Sequence, residues 1–107
     1  MDNGHIKFVI LSGAISSRLK TYKKAFEKAE IKVKKEYPNA IVFNPAVLGD
    51  GKAPSIYMKI CLDRICDISE QYPNQAILYV LKGYEKSSGV FIEVALASYC
   101  GMKYIYE

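Results

Sequence analysis

Four short runs of aliphatic, β-branched and aromatic residues alternate with longer segments along the whole chain. These runs cover residues 7–11, 40–43, 76–81 and 103–106. The first run lacks a clean apolar–polar alternation, which is typical of a strand buried on both faces, and we expect the second run to be buried as well. Strands that alternate with helices form parallel sheets covered by helices, so the pattern predicts a βαβαβαβ chain.

The segments between the runs carry helix signals. Residues 18–37 place apolar side chains at steps of three and four, which defines one face of a helix. Ser16 or Ser17 is a plausible N-cap for it. A second helix is expected to open at Pro54 or Ser55, with a polar loop over residues 67–75. A third is expected over residues 90–99, with Gly101 as its stop. The face of the first helix consists of Leu19, Tyr22, Phe26, Ala29, Val33 and Tyr37.

The predicted fold is an α/β single domain over residues 1–107. We expect a doubly wound parallel sheet, Rossmann-like or flavodoxin-like, with four to five strands and helices on both faces. Ligands of such sheets bind beyond the carboxyl ends of the strands, where the strand order reverses. That rule places the loops at residues 12–17, 44–53 and 82–89 around one crevice.

Composition excludes several classes of protein. The chain is 50% hydrophobic and 24% charged, as in an ordinary globular protein. No apolar run approaches the roughly 18 residues of a membrane helix, and no secretory signal is apparent. The net charge of +4 is concentrated in residues 18–37. The ordinary interpretation is a solvated helix face, and the alternative is a patch for nucleic acid or another polyanion.

Cysteine and histidine are too few for the common metal and redox sites. Cys61, Cys66 and Cys100 form no CxxC motif, and His5 is the single histidine. We therefore expect three small buried thiols in a reducing, cytoplasmic compartment, with no metal and no cofactor. One histidine in a terminal segment also argues against a Ser-His-Asp or Cys-His site.

Each of the three loops leads towards a helix N-terminus, where free N–H groups and the helix dipole favour an anion. The first and third loops also carry serine hydroxyls. Neither loop matches GxGxxG or GxxxxGK[ST], so an ordinary dinucleotide fold or P-loop enzyme is not indicated. The first loop offers hydroxyls and a guanidinium, and the third offers hydroxyls, a glycine and nearby lysines. The residues concerned are Ser12, Ser16, Ser17 and Arg18, and then Ser87, Ser88, Gly89, Lys82 and Lys86.

Glu93 is a charged residue within an otherwise apolar helix. Such a residue faces either solvent or a cleft, and the pattern alone leaves both open. A carboxylate in a cleft can act as a nucleophile or as an acid/base at a sugar centre.

Motifs across residues 8–106 resemble those of a known family. SGAIS follows the first strand, NP follows the second, YMKICLDRICD lies in the second helix, and GYEKSSGVFIEVALA follows the third strand. This arrangement resembles the nucleoside 2-deoxyribosyltransferase-like superfamily, and more closely its short branch common in phages and prophages. Members of that superfamily cleave the N-glycosidic bond of 2-deoxyribonucleosides or their 5′-monophosphates.

The resemblance implies roles for particular residues. Glu93 corresponds to the glutamate that attacks the anomeric carbon, Ser87 lies near the sugar or its phosphate, and Tyr84 replaces a tryptophan. The implied ligand is a nucleoside, a nucleotide or a nucleotide-derived compound. The residues expected to bind it are Ser12, Gly13, Ile15, Ser16, Arg18, Asn44, Cys61, Tyr84, Ser87 and Gly89.

Two positions depart from the pattern of the resembling enzymes. Ile10 stands where they carry a tyrosine, and Cys61 stands where they carry an aspartate that helps protonate the leaving base. Asp63 is about 200° round the helix from Cys61, which is a poor position for replacing it. Catalysis by Glu93 and nucleotide binding without turnover therefore both remain open, and binding of nucleic acid or protein by residues 18–37 ranks third.

The resemblance and the nine tyrosines also predict assembly with copies of the same chain. Tyrosine is enriched at protein interfaces, and related sites lie near subunit boundaries. We expect a homodimer or larger homo-oligomer and no membrane partner, and nucleic acid is not the favoured partner.

Overall fold

A computed structural model describes residues 3–15, 21–49 and 51–107, except for the side chain of Lys86. Four strands and three α-helices alternate along this chain. In order they are β1 (Phe8–Ser12), α1 (Tyr22–Glu36), β2 (Ile41–Phe43), α2 (Pro54–Gln71), β3 (Ala76–Val80), α3 (Ser88–Tyr99) and β4 (Lys103–Tyr106), with short 3₁₀ turns at Pro45–Leu48 and Tyr84–Lys86.

The four strands form one parallel sheet in the order β2-β1-β3-β4. After β1 the chain adds β2 on one side, and it then crosses to add β3 on the other side. The order therefore reverses between β1 and β3, whose register pairs Phe8 with Ala76 and Ser12 with Val80. The predicted Rossmann-like parallel sheet of a single α/β domain is confirmed.

Helices cover both faces of the sheet. Strand residues alternate between faces, so Val9 and Leu11 pack against α1, whereas Ile10 and Leu78 pack against α2 and α3. The α1 side of the core contains the predicted helix face, namely Tyr22, Phe26, Ala29, Val33 and Tyr37, all buried. Ser16, Ser17 and Leu19, which were expected in the start of this helix, lie outside the described residues, and Thr21 occupies the N-cap.

Two sequence-based expectations about local structure are wrong. The apolar run at residues 40–43 is not buried as expected. It contains β2, which is an edge strand, and Ile41 is 59% exposed. The polar segment expected as a loop from residue 67 continues α2 to Gln71. Ile68 is buried against the sheet and holds that last turn in place, although its neighbours are polar.

The surface of α1 carries the concentrated positive charge. Its lysines lie on the exposed side of the helix, and Lys34 pairs with Glu30 at 2.7 Å. No helix in the part of the chain that the structure describes is long and apolar enough to cross a membrane. The cysteines differ from the expectation of three buried thiols, since Cys61 is buried, Cys100 is half-buried and Cys66 is exposed.

Candidate functional site

A cavity of about 250 Å³ opens beyond the carboxyl ends of β1 and β3, at the reversal of strand order. Three parts of the chain form its walls: the loop after β1, the first turns of α2, and the first turns of α3. This is the place where open parallel sheets bind ligands. The lining residues are Gly13, Ile15, Pro54, Tyr57, Met58, Ser87, Ser88, Gly89, Ile92 and Glu93.

Glu93 contributes the carboxylate of this cavity. It lies on the inner side of α3 and is 8% exposed. The hydroxyl of Ser12, at the end of β1, donates a hydrogen bond of 2.7 Å to Oε1 of Glu93. Ser12 is itself only 1% exposed, so its side chain holds Glu93 and has little surface left for a ligand. Ser12 therefore contacts Glu93 from behind and is not itself among the lining residues of the cavity.

The environment of Glu93 makes its carboxyl unusually basic. Burial raises its pKa from 4.5 to about 7, while the hydrogen bond from Ser12 acts in the opposite direction. The dipole of α3 contributes little to stabilising this charge, because the helix begins at Ser88 and Glu93 falls in its second turn. A carboxyl with such a pKa exists in both protonation states near neutrality, as acid–base and nucleophilic groups in active sites often do.

The first turn of α3 forms the wall beside Glu93. Ser87 is the N-cap, and its Oγ accepts a hydrogen bond of 3.3 Å from the backbone N–H of Val90. The N–H groups of Ser88 and Gly89 precede the first intrahelical hydrogen bonds. A Cβ atom at Gly89 would lie 2.9 Å from Cε of Met58, so the absence of a side chain there lets α2 approach this turn closely.

Asn44 and Cys61 lie outside the cavity lining. Asn44 is engaged elsewhere, since its side chain donates to Glu30 at 2.9 Å and accepts from the N–H of Ala46 at 2.9 Å. Cys61 is buried in α2, close enough for the charge of Glu93 to affect it. Burial, and then that charge, raises the pKa of Cys61 to about 12, so the thiol keeps its proton at neutral pH.

Tyr84 also lies away from the cavity, in a cluster of aromatic rings at the β4 edge of the sheet. Its ring centroid is 4.8 Å from that of Tyr106 and 6.1 Å from that of Phe91. Tyr104 contacts Tyr106 at 6.0 Å and completes this aromatic edge cluster. The stacking of Tyr84 is thus satisfied within the protein. Ser16 and Arg18, also expected at the site, lie outside the described residues.

Four lining residues were not predicted as site residues from the sequence, and one of them, Pro54, was expected only as the start of α2. Tyr57 and Met58 come from the first turns of α2, and Ile92 precedes Glu93 on α3. The sequence signal for Tyr57 and Met58 was the YM motif, which is part of the family resemblance. The described residues contain no group of three or more His, Cys, Asp or Glu side chains arranged to hold a metal ion.

Comparisons with known proteins identify a family and one distant structural relative. A family model described as "Domain of unknown function (DUF4406)" matches residues 7–106. No curated protein matches the chain. Among solved structures, the C-terminal domain of a hydrogenase from Pyrococcus furiosus aligns over 97% of this chain and 92% of that chain, with 11% identity and a TM-score of 0.42. The family description states no activity, so the nucleoside 2-deoxyribosyltransferase-like resemblance stays a prediction.

We expect Glu93→Gln to stabilise the protein at alkaline pH. Because the pKa of Glu93 is raised on folding, the carboxyl stabilises the fold fully below pH 4.5, and this stabilisation is lost as the pH rises through about 7. The shift corresponds to about 3 kcal/mol between these limits. Urea unfolding at several pH values measures the difference between parent and variant, with the exposed Glu70→Gln as control. An equal pH dependence of parent and Glu93→Gln would contradict the burial of this carboxylate.

Proposed function

We propose that this chain, which belongs to the DUF4406 family, acts on the N-glycosidic bond of a (deoxy)nucleoside or its 5′-monophosphate. Glu93 is the nucleophile in this proposal. The observation that carries it is the buried carboxyl of Glu93, held by Ser12 at the wall of a cavity at the reversal of strand order. The resemblance in motifs assigns the same residue to attack on the anomeric carbon.

The chemistry suits a carboxylate fixed in this way. Cleavage of an N-glycosidic bond passes through a transition state with positive charge on the sugar, which a carboxylate that is already oriented stabilises. The hydrogen bond from Ser12 removes the need to reorient Glu93 as that charge develops. Attack by Oε on the anomeric carbon forms a sugar–enzyme ester, which water or another base then resolves.

The dimensions of the cavity favour a sugar and its phosphate as the enclosed part of the ligand. Its volume of about 250 Å³ is slightly below the usual range for ligand sites, which begins at about 300 Å³. The first turn of α3 offers the N–H groups of Ser88 and Gly89 to an anion. From Ser88 to Glu93 the helix rises about 7 Å. A 5′-phosphate at the helix start would therefore leave the anomeric carbon near the carboxyl of Glu93, with the base towards the mouth.

Binding without turnover is the second candidate, and Cys61 is the observation that favours it. The resembling enzymes carry an aspartic acid at this position, whereas the thiol of Cys61 has a pKa of about 12. A protein lacking that acid could hold a nucleotide or a nucleotide-derived signal in the same cavity and withdraw it from use.

Assembly with a second copy is proposed for the outer side of α3 and the β4 edge. Phe91 and Tyr99 are exposed on α3, Tyr99 to 89%, and Tyr104 and Tyr106 are exposed on β4. A helix that is apolar on its outer as well as its inner side is ordinarily covered. Ile92 is exposed there and also lines the cavity, so a partner on this surface would border the site.

Substitution of Glu93 by glutamine distinguishes catalysis from binding. Under the enzyme proposal, Glu93→Gln lowers base release by about three orders of magnitude or more, because the amide is not a nucleophile. Nucleotide binding persists, since the size and shape of the side chain are kept. The measurement is chromatography of nucleosides and nucleotides after incubation, beside calorimetric binding, with Glu70→Gln as control.

The pH profile of the parent provides a second readout. Attack requires the deprotonated carboxylate, so kcat/KM should rise about tenfold per pH unit below about 7 and level off above it. Undiminished base release by Glu93→Gln would reject Glu93 as the nucleophile. Stoichiometric capture of unchanged nucleotide by parent and variant alike would favour the binding module.

Ser87→Asp tests the anion subsite. Aspartate remains a good N-cap, so α3 should form normally, but the added negative charge should abolish binding of a 5′-monophosphate. Ser98→Asp adds the same charge near the other end of α3 and should leave binding nearly unchanged. Calorimetric titration compares the three proteins. If Ser87→Asp bound the monophosphate as tightly as the parent, the phosphate would have to lie elsewhere.

Light scattering during size-exclusion chromatography tests the assembly. The parent should elute as a dimer or larger oligomer, and Phe91→Lys or Tyr99→Lys should reduce its mass to that of one chain. Ile31→Lys is the matched control, because Ile31 is a similarly exposed apolar residue on α1, on the other face of the sheet. A monomeric parent at micromolar concentration would refute this surface as an interface between copies.

A further inference from the structure

The groups around Glu93 restrict which leaving groups the site can release. This inference rests on the proposed function. When the bond between the anomeric carbon and a ring nitrogen breaks, its electron pair goes to the nitrogen. A neutral base then needs a proton, ordinarily from a general acid that contributes about 10²- to 10⁴-fold to the rate. A ring that is cationic while attached departs as a neutral molecule and needs no proton.

Cys61 is poorly suited to supply that proton. It is 5% exposed, on the part of α2 that packs towards α3, and Glu93 is close enough to oppose a negative charge on it. Donation would leave a buried thiolate, without an opposing cation among the described lining residues. Burial and the nearby Glu93 raise the pKa of Cys61 to about 12, so the thiol is a weak acid in this environment.

The other candidate donors are engaged or point elsewhere. Asp63 lies on the exposed side of α2 and pairs with Lys59 at 3.0 Å, so it does not replace an acid in the cavity. Tyr57 lines the cavity, but its hydroxyl donates its proton to the carbonyl of Gly49. Within the described lining, the hydroxyls that remain belong to Ser87 and Ser88, and serine is a weak acid.

The same wall offers favourable contacts to a positive ring. The cavity combines the carboxyl of Glu93 with the aromatic ring of Tyr57 and the thioether of Met58, and its described lining contains no Lys or Arg. A cation is attracted by the face of an aromatic ring and by a nearby carboxylate. Among the described lining residues, the site therefore favours a cationic ring electrostatically and offers no strong acid besides the nucleophile Glu93 to protonate a neutral one.

We propose that the site is specific for N-glycosides whose leaving ring is cationic, either a pyridinium such as nicotinamide or an N7-alkylated purine. Glu93 attacks the anomeric carbon, and the bond to nitrogen breaks with its electron pair neutralising the ring. Water then attacks the anomeric carbon, the electron pair of the ester bond returns to Glu93, and one proton goes to solvent. The products are the free neutral base and the sugar or sugar phosphate.

Matched substrate pairs test the proposal on the unmodified protein. The pairs are 7-methylguanosine 5′-monophosphate with guanosine 5′-monophosphate, and nicotinamide mononucleotide with its reduced, uncharged form. Chromatography measures base release, corrected for the reaction without protein. We expect the rate enhancement over that background to be at least about 100-fold larger for the cationic member of a pair, which is the low end of what a missing acid costs. With nicotinamide mononucleotide, whose cationic ring has no titratable proton, the pH profile should rise once, through about 7, without an alkaline decline.

Installing an acid provides the complementary test. Cys61→Asp should raise the release of neutral bases and leave that of cationic rings nearly unchanged, whereas Cys61→Ser, which adds no acid, should change neither. The substrate comparison on the parent decides the question even where Cys61→Asp does not fold.

The outcomes separate this inference from the function on which it rests. Equal enhancement for both members of each pair overturns the inference and leaves the proposed function standing. Release of neutral bases that disappears in Asp50→Asn also overturns it, since Asp50, outside the described residues, would then be the acid. Preference for the cationic member of one pair supports the proposal and distinguishes a pyridinium from an alkylated purine. No base release from any substrate overturns both the inference and the proposed function.

Discussion

The hydrogen bond between Ser12 and Glu93 is the interaction on which the site depends. It joins two residues separated by 81 positions, one at the end of β1 and one in α3. Both side chains are buried, and an unpaired carboxylate there would be costly. Ser12 reduces that cost without removing it, because burial still raises the pKa of Glu93 to about 7. The fold thus tolerates an unfavourable group at the wall of a cavity.

The parallel order of the sheet explains why that place exists. The chain leaves β1 and β3 towards opposite sides of the sheet, so the loops after them separate and a cavity forms between them. The first turns of α2 and α3 close its walls, and Gly89 lets Met58 come near. The aromatic edge cluster lies further out, on the β4 side, where the rings of Tyr84, Phe91 and Tyr106 contact one another.

The fold could be predicted because its signals are local. Runs such as residues 76–81 lack the polar positions of a half-exposed strand, and the buried residues of α1 recur at the helical period. The errors occur where tertiary position overrides local pattern. The β2 run is as apolar as a central strand but lies at an edge, and the polar end of α2 remains helical because Ile68 packs on the sheet.

For the site, the sequence by itself determined two of the loops that border the cavity, those after β1 and β3, and the presence of one acidic residue in an apolar helix. It left open whether Glu93 faced solvent or a cleft, because a helix that is apolar all round does not indicate its inner side. Only the tertiary structure decided that Glu93 faces Ser12, that Asn44 and Tyr84 are engaged elsewhere, and that Tyr57 lines the wall. Periodicity orients a side chain about its own helix, whereas the partner across the cavity depends on how β1, α2 and α3 pack together.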